Sequence, residues 1–234
     1  MKTYQELVEG LNDPNIFKAF FLAGGPGSGK SFVVGKTTGG TGLKIVNSDD
    51  VFEKYLKDAG FEMDMTTSKA ELQQEPRDKL RDRAKVVTKM KQDNYVDGRL
   101  GLVIDGTGAD YDKIVRQSIG LKQLGYDTHM IYVNTSLDVA LDRNSKRERK
   151  VSTSIATKSW KDVQSNLGKF SQHFRRNMIV VDNNEVLEDD GTLFNDVLRQ
   201  IKPLLKRKVT SPSANAWIEM EMKRRGITRK PKGF

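Results

Sequence analysis

The chain has 234 residues, is 36% apolar and 30% charged, and carries a formal net charge of +9. This length suits one α/β domain with appendages, and the composition excludes general disorder and a collagen-like chain. With no cysteine, a disulfide framework, a thiolate zinc site and a cysteine nucleophile are excluded, and no stretch approaches the roughly 18–20 apolar residues that span a bilayer.

Apolar runs and turn signals alternate along the chain in a βα pattern, which predicts a mainly parallel five-stranded sheet covered by helices on both faces. The first strand is expected at 17–23 (FKAFFLA). It runs straight into GGPGSGKS, where Gly24, Gly29, Lys30 and Ser31 spell G-x-x-x-x-G-K-S before a helix over 30–37. Glycines at this strand-to-helix turn let successive backbone N–H groups point at phosphates, and the helix N-terminus adds partial positive charge. The predicted cradle is Gly24, Gly25, Gly27, Ser28, Gly29, Lys30 and Ser31. Lys30 is expected on the β and γ oxygens of ATP and the Ser31 hydroxyl on Mg²⁺.

A second strand at 43–47 ends in Asn47, Ser48, Asp49 and Asp50, ahead of a helix over 50–59. Ligands of open α/β sheets collect at this carboxyl edge. Asp49 is the candidate base for an acceptor hydroxyl, and Asp50 is expected to cap the helix or to touch the acceptor. The polar stretch 68–94 predicts a long helix within a cap insertion at about 60–98, lying over the acceptor pocket or merely covering the sheet.

The third strand, 101–105, ends in IDGTG. Asp105 is a candidate Mg²⁺ carboxylate and Thr107 a candidate acceptor contact, with a purely structural turn as the alternative. A helix over 110–124 and a strand at 128–134 lead to a predicted helix at 136–149, and the run LDVALDRNSKRERKV sets Arg143, Lys146, Arg147, Arg149 and Lys150 within eight positions, with a solvated basic face as the alternative reading. Arg143 and Arg147, four apart on a helix, can reach one anion, so a catalytic lid is expected at about 141–155. A helix at 158–171, a strand at 178–182 and helices at 192–207 and 213–225 complete the pattern.

Residues 200–234 hold ten Lys and Arg against two Asp and Glu, which leaves the rest of the chain at +1. The body is read as 11–200 and the basic extension as 201–234, with Trp217, Met220 and Arg224 near one helical face. ITRKPKGF reads as a basic arm able to hold nucleic acid through phosphate contacts, with a solubilising or frayed terminus as the alternative. His129 and His173 receive no role.

GGPGSGKS, NSDD, IDGTG and RNSKRERK, in that order, resemble the P-loop kinases of the phage polynucleotide kinase and zeta-toxin group over about residues 17–185. The resemblance implies the P-loop NTPase three-layer fold, with ATP and Mg²⁺ as cofactors. It also implies transfer of the γ-phosphate to a nucleotide-like acceptor: a nucleic acid 5′-hydroxyl end, a nucleotide or a nucleotide sugar. Likeness to the 5′-hydroxyl polynucleotide kinases implies Asp49 as base and Arg147 on the transferred phosphate. Ser48 and Phe52 depart from that pattern where arginines are expected, and Phe52 removes an arginine for the acceptor's phosphate. IDGTG is closer to the zeta-toxin group, with Asp105 in place of its Glu.

The opening MKTYQELVEG is similar to leaders that route internal proteins into T-even-type phage heads. It implies cleavage after Glu9 and a packaged enzyme; an ordinary amphipathic helix is the alternative. The leader lacks the apolar core of a secretory signal, and the expected location is the cytoplasm. The competing functional reading is a nucleic-acid-associated ATPase or packaged phage DNA-binding protein acting through the C-terminal arm.

Overall fold

A computed structural model describes residues 10–184 and 192–228. The predicted leader therefore lies outside the described residues except for Gly10, as do the last six residues of the basic arm. Five strands form one fully parallel sheet: β1 Lys18–Ala23, β2 Lys44–Val46, β3 Leu102–Ile104, β4 Asp127–Asn134 and β5 Met178–Asp182. Their order is β2-β3-β1-β4-β5, which puts β1 at the centre and the turn that follows it in the middle of the carboxyl edge.

Residues of β1 alternate between two cores, because successive side chains of a strand leave opposite faces. Ala19, Phe21 and Ala23 join one core, which is closed by α5 (Tyr111–Gln123), α7 (Thr153–Phe174) and α9 (Pro212–Arg224). Phe20 and Leu22 join the other, closed by α1 (Lys30–Thr38) and α8 (Thr192–Leu205). Every residue of β1 is buried, as a central parallel strand requires. The three-layer architecture matches the expectation from sequence.

The cap has a small core of its own. Phe52 and Leu56 of α2 (Ser48–Asp58) pack with Met63 and with Ala84 of α4 (Gln74–Asp97). The single helix expected over 68–94 is two, α3 (Ser68–Leu72) and α4, broken at Gln73. The break leaves the Gln73 side chain facing back across the cap, where its Oε1 accepts from the Glu62 backbone N–H at 3.2 Å.

The C-terminal helix is docked on the body. Ala214, Ile218 and Met222 of α9 are buried in the first core, and Trp217 meets the Phe17 ring edge-on at 5.6 Å. The docked face is therefore 214, 217, 218 and 222. Met220 is 65% exposed, contrary to the expected Trp217–Met220–Arg224 face. Arg224 pairs with Glu221, 2.6 Å from Nη2 to Oε1. No helix among the described residues is long and apolar enough to cross a membrane.

Candidate active site

The turn after β1 is shaped by neighbours as much as by its own glycines. Gly27 has φ 78°, and a Cβ there would lie 2.0 Å from the Ala140 carbonyl oxygen of α6 (Leu137–Ser145). Gly29, at φ 83°, caps α1, and a Cβ there would meet the Asn183 amide at 2.4 Å. Both positions demand a left-handed backbone and admit no side chain. Gly27→Ala is expected to cost roughly 1–3 kcal/mol through backbone strain and to weaken nucleotide binding; thermal unfolding and nucleotide titration check it together.

Braces from distant segments fix the loop. Asn183, just beyond β5, donates its Nδ2 to the Ser28 carbonyl at 2.7 Å, and Thr135 Oγ1 donates to the same oxygen at 3.3 Å. Trp160 of α7 donates Nε1 to the Thr135 carbonyl at 2.7 Å. The Gly24 N–H donates to the Thr107 carbonyl at 2.8 Å, which ties the start of the cradle to the loop after β3. Inside this frame the Ser28 hydroxyl is buried and has no hydrogen-bond partner among the described residues. A phosphate oxygen is the partner its position suits. Gly24, Gly25 and Gly27 are buried, Gly29 and Lys30 half-buried, and Ser31 is exposed.

On the acceptor side, Asn47 caps α2: its Oδ1 accepts from the Asp49 N–H at 2.8 Å. The capping role expected of Asp50 is thus taken by Asn47, because the helix starts two residues earlier than its apolar pattern indicates. Asp50 holds the cap instead, accepting from Asn47 Nδ2 at 2.8 Å. Burial raises the pKa of Asp50, and the charges of Asp105, Glu53 and Asp49 add to it.

Asp105 follows β3, and its N–H donates to the Val46 carbonyl at 3.0 Å. Burial raises its pKa as well; the Lys30 charge opposes the shift, Asp49 adds to it, and Arg147 opposes it weakly. Lys30, Asp49, Asp105 and Arg147, widely separated in sequence, thus share one electrostatic environment. A carboxylate whose folded pKa is raised costs stability at neutral pH, and the cost is relieved as pH falls through the raised value. Asp105→Asn is therefore expected to raise the unfolding temperature at pH 7 while lowering activity, a divergence that melting and rate measurements on one preparation would reveal.

A cavity of about 330 Å³ opens beside these groups between α4, α5 and the sheet edge. Ser48, Asp105, Thr107, Lys85, Lys89 and the buried Thr88 line it. Among the described residues no three His, Asp or Glu side chains converge as a metal cluster. Ser31, Asp105 and phosphate oxygens could together hold Mg²⁺, which commonly uses few protein ligands and several phosphate oxygens.

The lid differs most from expectation. Helix α6 stops at Ser145, so Arg143 and Arg147 do not share a helical face. Asn144 ends the helix by closing the following loop: its Nδ2 donates to the Val151 carbonyl at 2.8 Å and its Oδ1 accepts from the Val151 N–H. Arg143 turns toward the cradle and donates Nη1 to the Asn183 carbonyl at 2.8 Å, while Arg147 is exposed in the loop. The arginine that reaches the acceptor side is Arg149, 3.2 Å from Glu53 and 3.5 Å from Asp49. Arg81 of α4, with no motif around it, lies 3.1 Å from Asp49. Both guanidinium groups lie over the ring of Phe52, the residue that departs from the polynucleotide kinase pattern.

A family model described as Zeta toxin matches residues 8–192. No curated protein matches the chain. Among solved structures, a putative kinase from Chloroflexus aurantiacus J-10-fl aligns with TM-score 0.55 and 15% identity, covering 80% of this chain and 97% of that one. The AvrRxo1-ORF1:-ORF2 structure with ATP aligns with TM-score 0.51 and 17% identity, over 77% of this chain and 62% of that one. These likenesses show a shared fold. With the family match spanning most of its length, the chain belongs to the zeta toxin family and is a P-loop kinase.

Proposed function

We propose that this kinase transfers the γ-phosphate of ATP to a hydroxyl of a nucleotide-like acceptor: a nucleic acid 5′ end, a nucleotide or a nucleotide sugar. The observation that carries the reading is the shared field of Lys30, Asp49 and Asp105 beside a cavity lined by Ser48, Asp105 and Thr107. A donor phosphate in the cradle and an acceptor in the cavity would meet there. The acceptor oxygen bonds to the γ-phosphorus, the bond to the β–γ bridging oxygen breaks, ADP leaves, and the hydroxyl proton passes to Asp49.

Lys30 and the cradle N–H groups bind the phosphates, and Arg143 and Arg147 belong to the lid that closes over them. Mg²⁺, held by Ser31 and Asp105, would supply charge neutralisation on the phosphate oxygens. A neighbour of the same fold holding ATP supports ATP as donor.

The test is transfer of label from γ-labelled ATP to panels of nucleosides, nucleotides, nucleotide sugars and 5′-hydroxyl oligonucleotides. Asp49→Asn is expected to lower transfer about 10²–10⁴-fold while ATP still binds. Labelling of no acceptor would remove the reading.

The basic C-terminus favours a second reading, a nucleic-acid-associated ATPase. Because α9 is part of the core, its test is removal of residues 229–234 rather than the whole extension; that reading expects loss of nucleic-acid-stimulated ATP hydrolysis. The capsid-leader reading of residues 1–10 stands beside these and is tested by the mass of the N-terminal peptide from virions.

A further inference from the structure

Many surface cations of this chain are answered by acids. Lys79, Lys85, Lys89, Lys146 and Lys158 each pair with a carboxylate three or four residues away. One end of the molecule breaks this habit. Residues 113–126, 163–181 and 197–218 contain no Asp or Glu, although the chain carries 31. These segments hold the C-terminal turns of α5, α7 and α8, which come to the amino edge of the sheet because helices of such a fold run back against its parallel strands.

The three turns meet through particular contacts. Asn177, just before β5, donates Nδ2 to the Thr128 carbonyl of β4 at 3.2 Å and accepts from Arg207 Nη1, beyond the end of α8, at 3.1 Å. Lys122 Nζ of α5 lies 5.9 Å from the centroid of the Phe174 ring at the end of α7. An open groove of about 700 Å³ lies here, lined by Lys122, Gln172, His173, Arg175 and Arg176. Lys122, Arg175, Arg176, Lys206, Arg207 and Lys208 are exposed, and none of them has an ion pair with a carboxylate among the described residues. Asp127, which opens β4 at this edge, is held by buried Lys18. Arg175 stands at φ 50°, where glycine is unstrained and arginine is not.

Helix C-termini favour cations through their dipoles, and a basic residue in a last turn needs no ligand. That effect does not account for three whole segments without carboxylates, nor for the gathering of their cations at one edge. Like charges held together without counter-charges repel, and an anion relieves them. Helices α5 and α7 cover one face of the sheet and α8 the other, so the cations are spread across the end of the molecule. That spread suits a run of phosphates better than one small anion. No aromatic ring is exposed in the three turns: Phe174 is 3% exposed and Tyr126 4%. Unpaired bases would find no platform to stack on.

We propose that this face binds the phosphate backbone of a double-stranded nucleic acid without reading its sequence. It is distinct from the phosphate cradle, because β4, eight residues long, puts roughly 25 Å between the two edges of the sheet. It is also distinct from the terminal arm, since Lys122, Arg175, Arg176 and residues 206–208 all belong to the folded body. A duplex bound here leaves the cradle and the cavity open.

Fluorescence anisotropy with a labelled short duplex, over a range of salt, tests the face on the full chain. Wild-type affinity is expected to fall steeply with salt. Arg175→Gln/Arg176→Gln is expected to weaken binding about ten-fold and to reduce the salt slope by about 2, with binding of an ATP analogue unchanged. Lys206→Gln/Lys208→Gln serves if the first variant does not fold, with the same loss expected. Lys79→Gln/Lys158→Gln removes equal charge elsewhere and is expected to bind as wild type. Deletion of residues 229–234 is expected to leave binding that still depends on Arg175 and Arg176. No binding at low salt, an equal loss in the face and charge-matched variants, or binding abolished by the deletion and untouched by the face variants overturns the site. A single strand bound as tightly as the duplex, or phosphatidylserine vesicles captured through the same arginines in place of the duplex, overturns the choice of partner.

Discussion

Lys30→Ala is expected to lower phosphoryl transfer by about 10³-fold or more, with little change in folding stability. Lys30 begins α1 directly after left-handed Gly29, so its side chain rises from the cradle and not from either hydrophobic core. Its charge faces two demands. In the proposed reaction it neutralises phosphate oxygens when nucleotide is bound, and it offsets the burial that raises the Asp105 pKa. Alanine removes both effects. Nucleotide titration should show weakened binding, and the remaining activity should decline at a higher pH on acidification, because Asp105 then takes up its proton more readily. Transfer within ten-fold of wild type would sink the assignment of Lys30.

Asp127→Ala is expected to cost about 3–5 kcal/mol of folding stability while leaving the activity of folded molecules near wild type. Lys18 and Asp127 are register partners at the amino end of the sheet, opposite the cradle. The Lys18 side chain is 2% exposed, and its Nζ donates to Asp127 Oδ2 at 3.0 Å. His129, fully buried and stacked on Phe20 at 4.8 Å, has its Nε2 3.7 Å from the same oxygen, beyond direct hydrogen-bond length. Removing the carboxylate strands a buried ammonium group, and that uncompensated charge, rather than the value of the pair itself, sets the cost.

The pH dependence follows from the same cluster. His129 and Lys18 hold the Asp127 carboxyl well below the usual carboxylate range, and burial lowers the His129 pKa. For both groups the folded value lies below the unfolded one, so the unfolded chain binds more protons and stability falls as pH falls. The decline begins near the ordinary histidine value of about 6.5 and steepens below about 4, where free aspartate takes up its proton. Denaturant unfolding across pH 3–8 should show that the variant lacks the lower limb.

Local chemistry made much of the molecule legible before folding was considered. Burial on both faces needs a near-continuous apolar run along a central strand, and FKAFFLA supplies it at every position but Lys18. A phosphate cradle needs left-handed glycines before a helix, and Gly27 and Gly29 are the residues that tolerate the observed φ angles. The order of strands and helices followed from such local signals.

Helix ends were less legible where side chains from elsewhere set them. Asn144 closes the loop that ends α6, and the Ser152 side chain caps α7, which begins five residues before its expected start. Pairings across the fold were not legible at all. Arg149 was one of five basic residues in a run that any solvated face could carry, and Arg81 stood in an ordinary charged helix. Their convergence on Asp49 over the Phe52 ring depends on how α4 and the lid loop pack against α2.

Asn183 gave no signal either, since it braces a carbonyl 155 residues away. By itself, then, the sequence determined the sheet, the glycine turn before α1 and the place of Asp49 after β2. The tertiary structure alone decided which arginines meet Asp49, and what stiffens the turn after β1. Strand period, turn chemistry and capping act over a few residues, whereas these contacts arise only when sheet order and helix packing bring remote side chains to one edge.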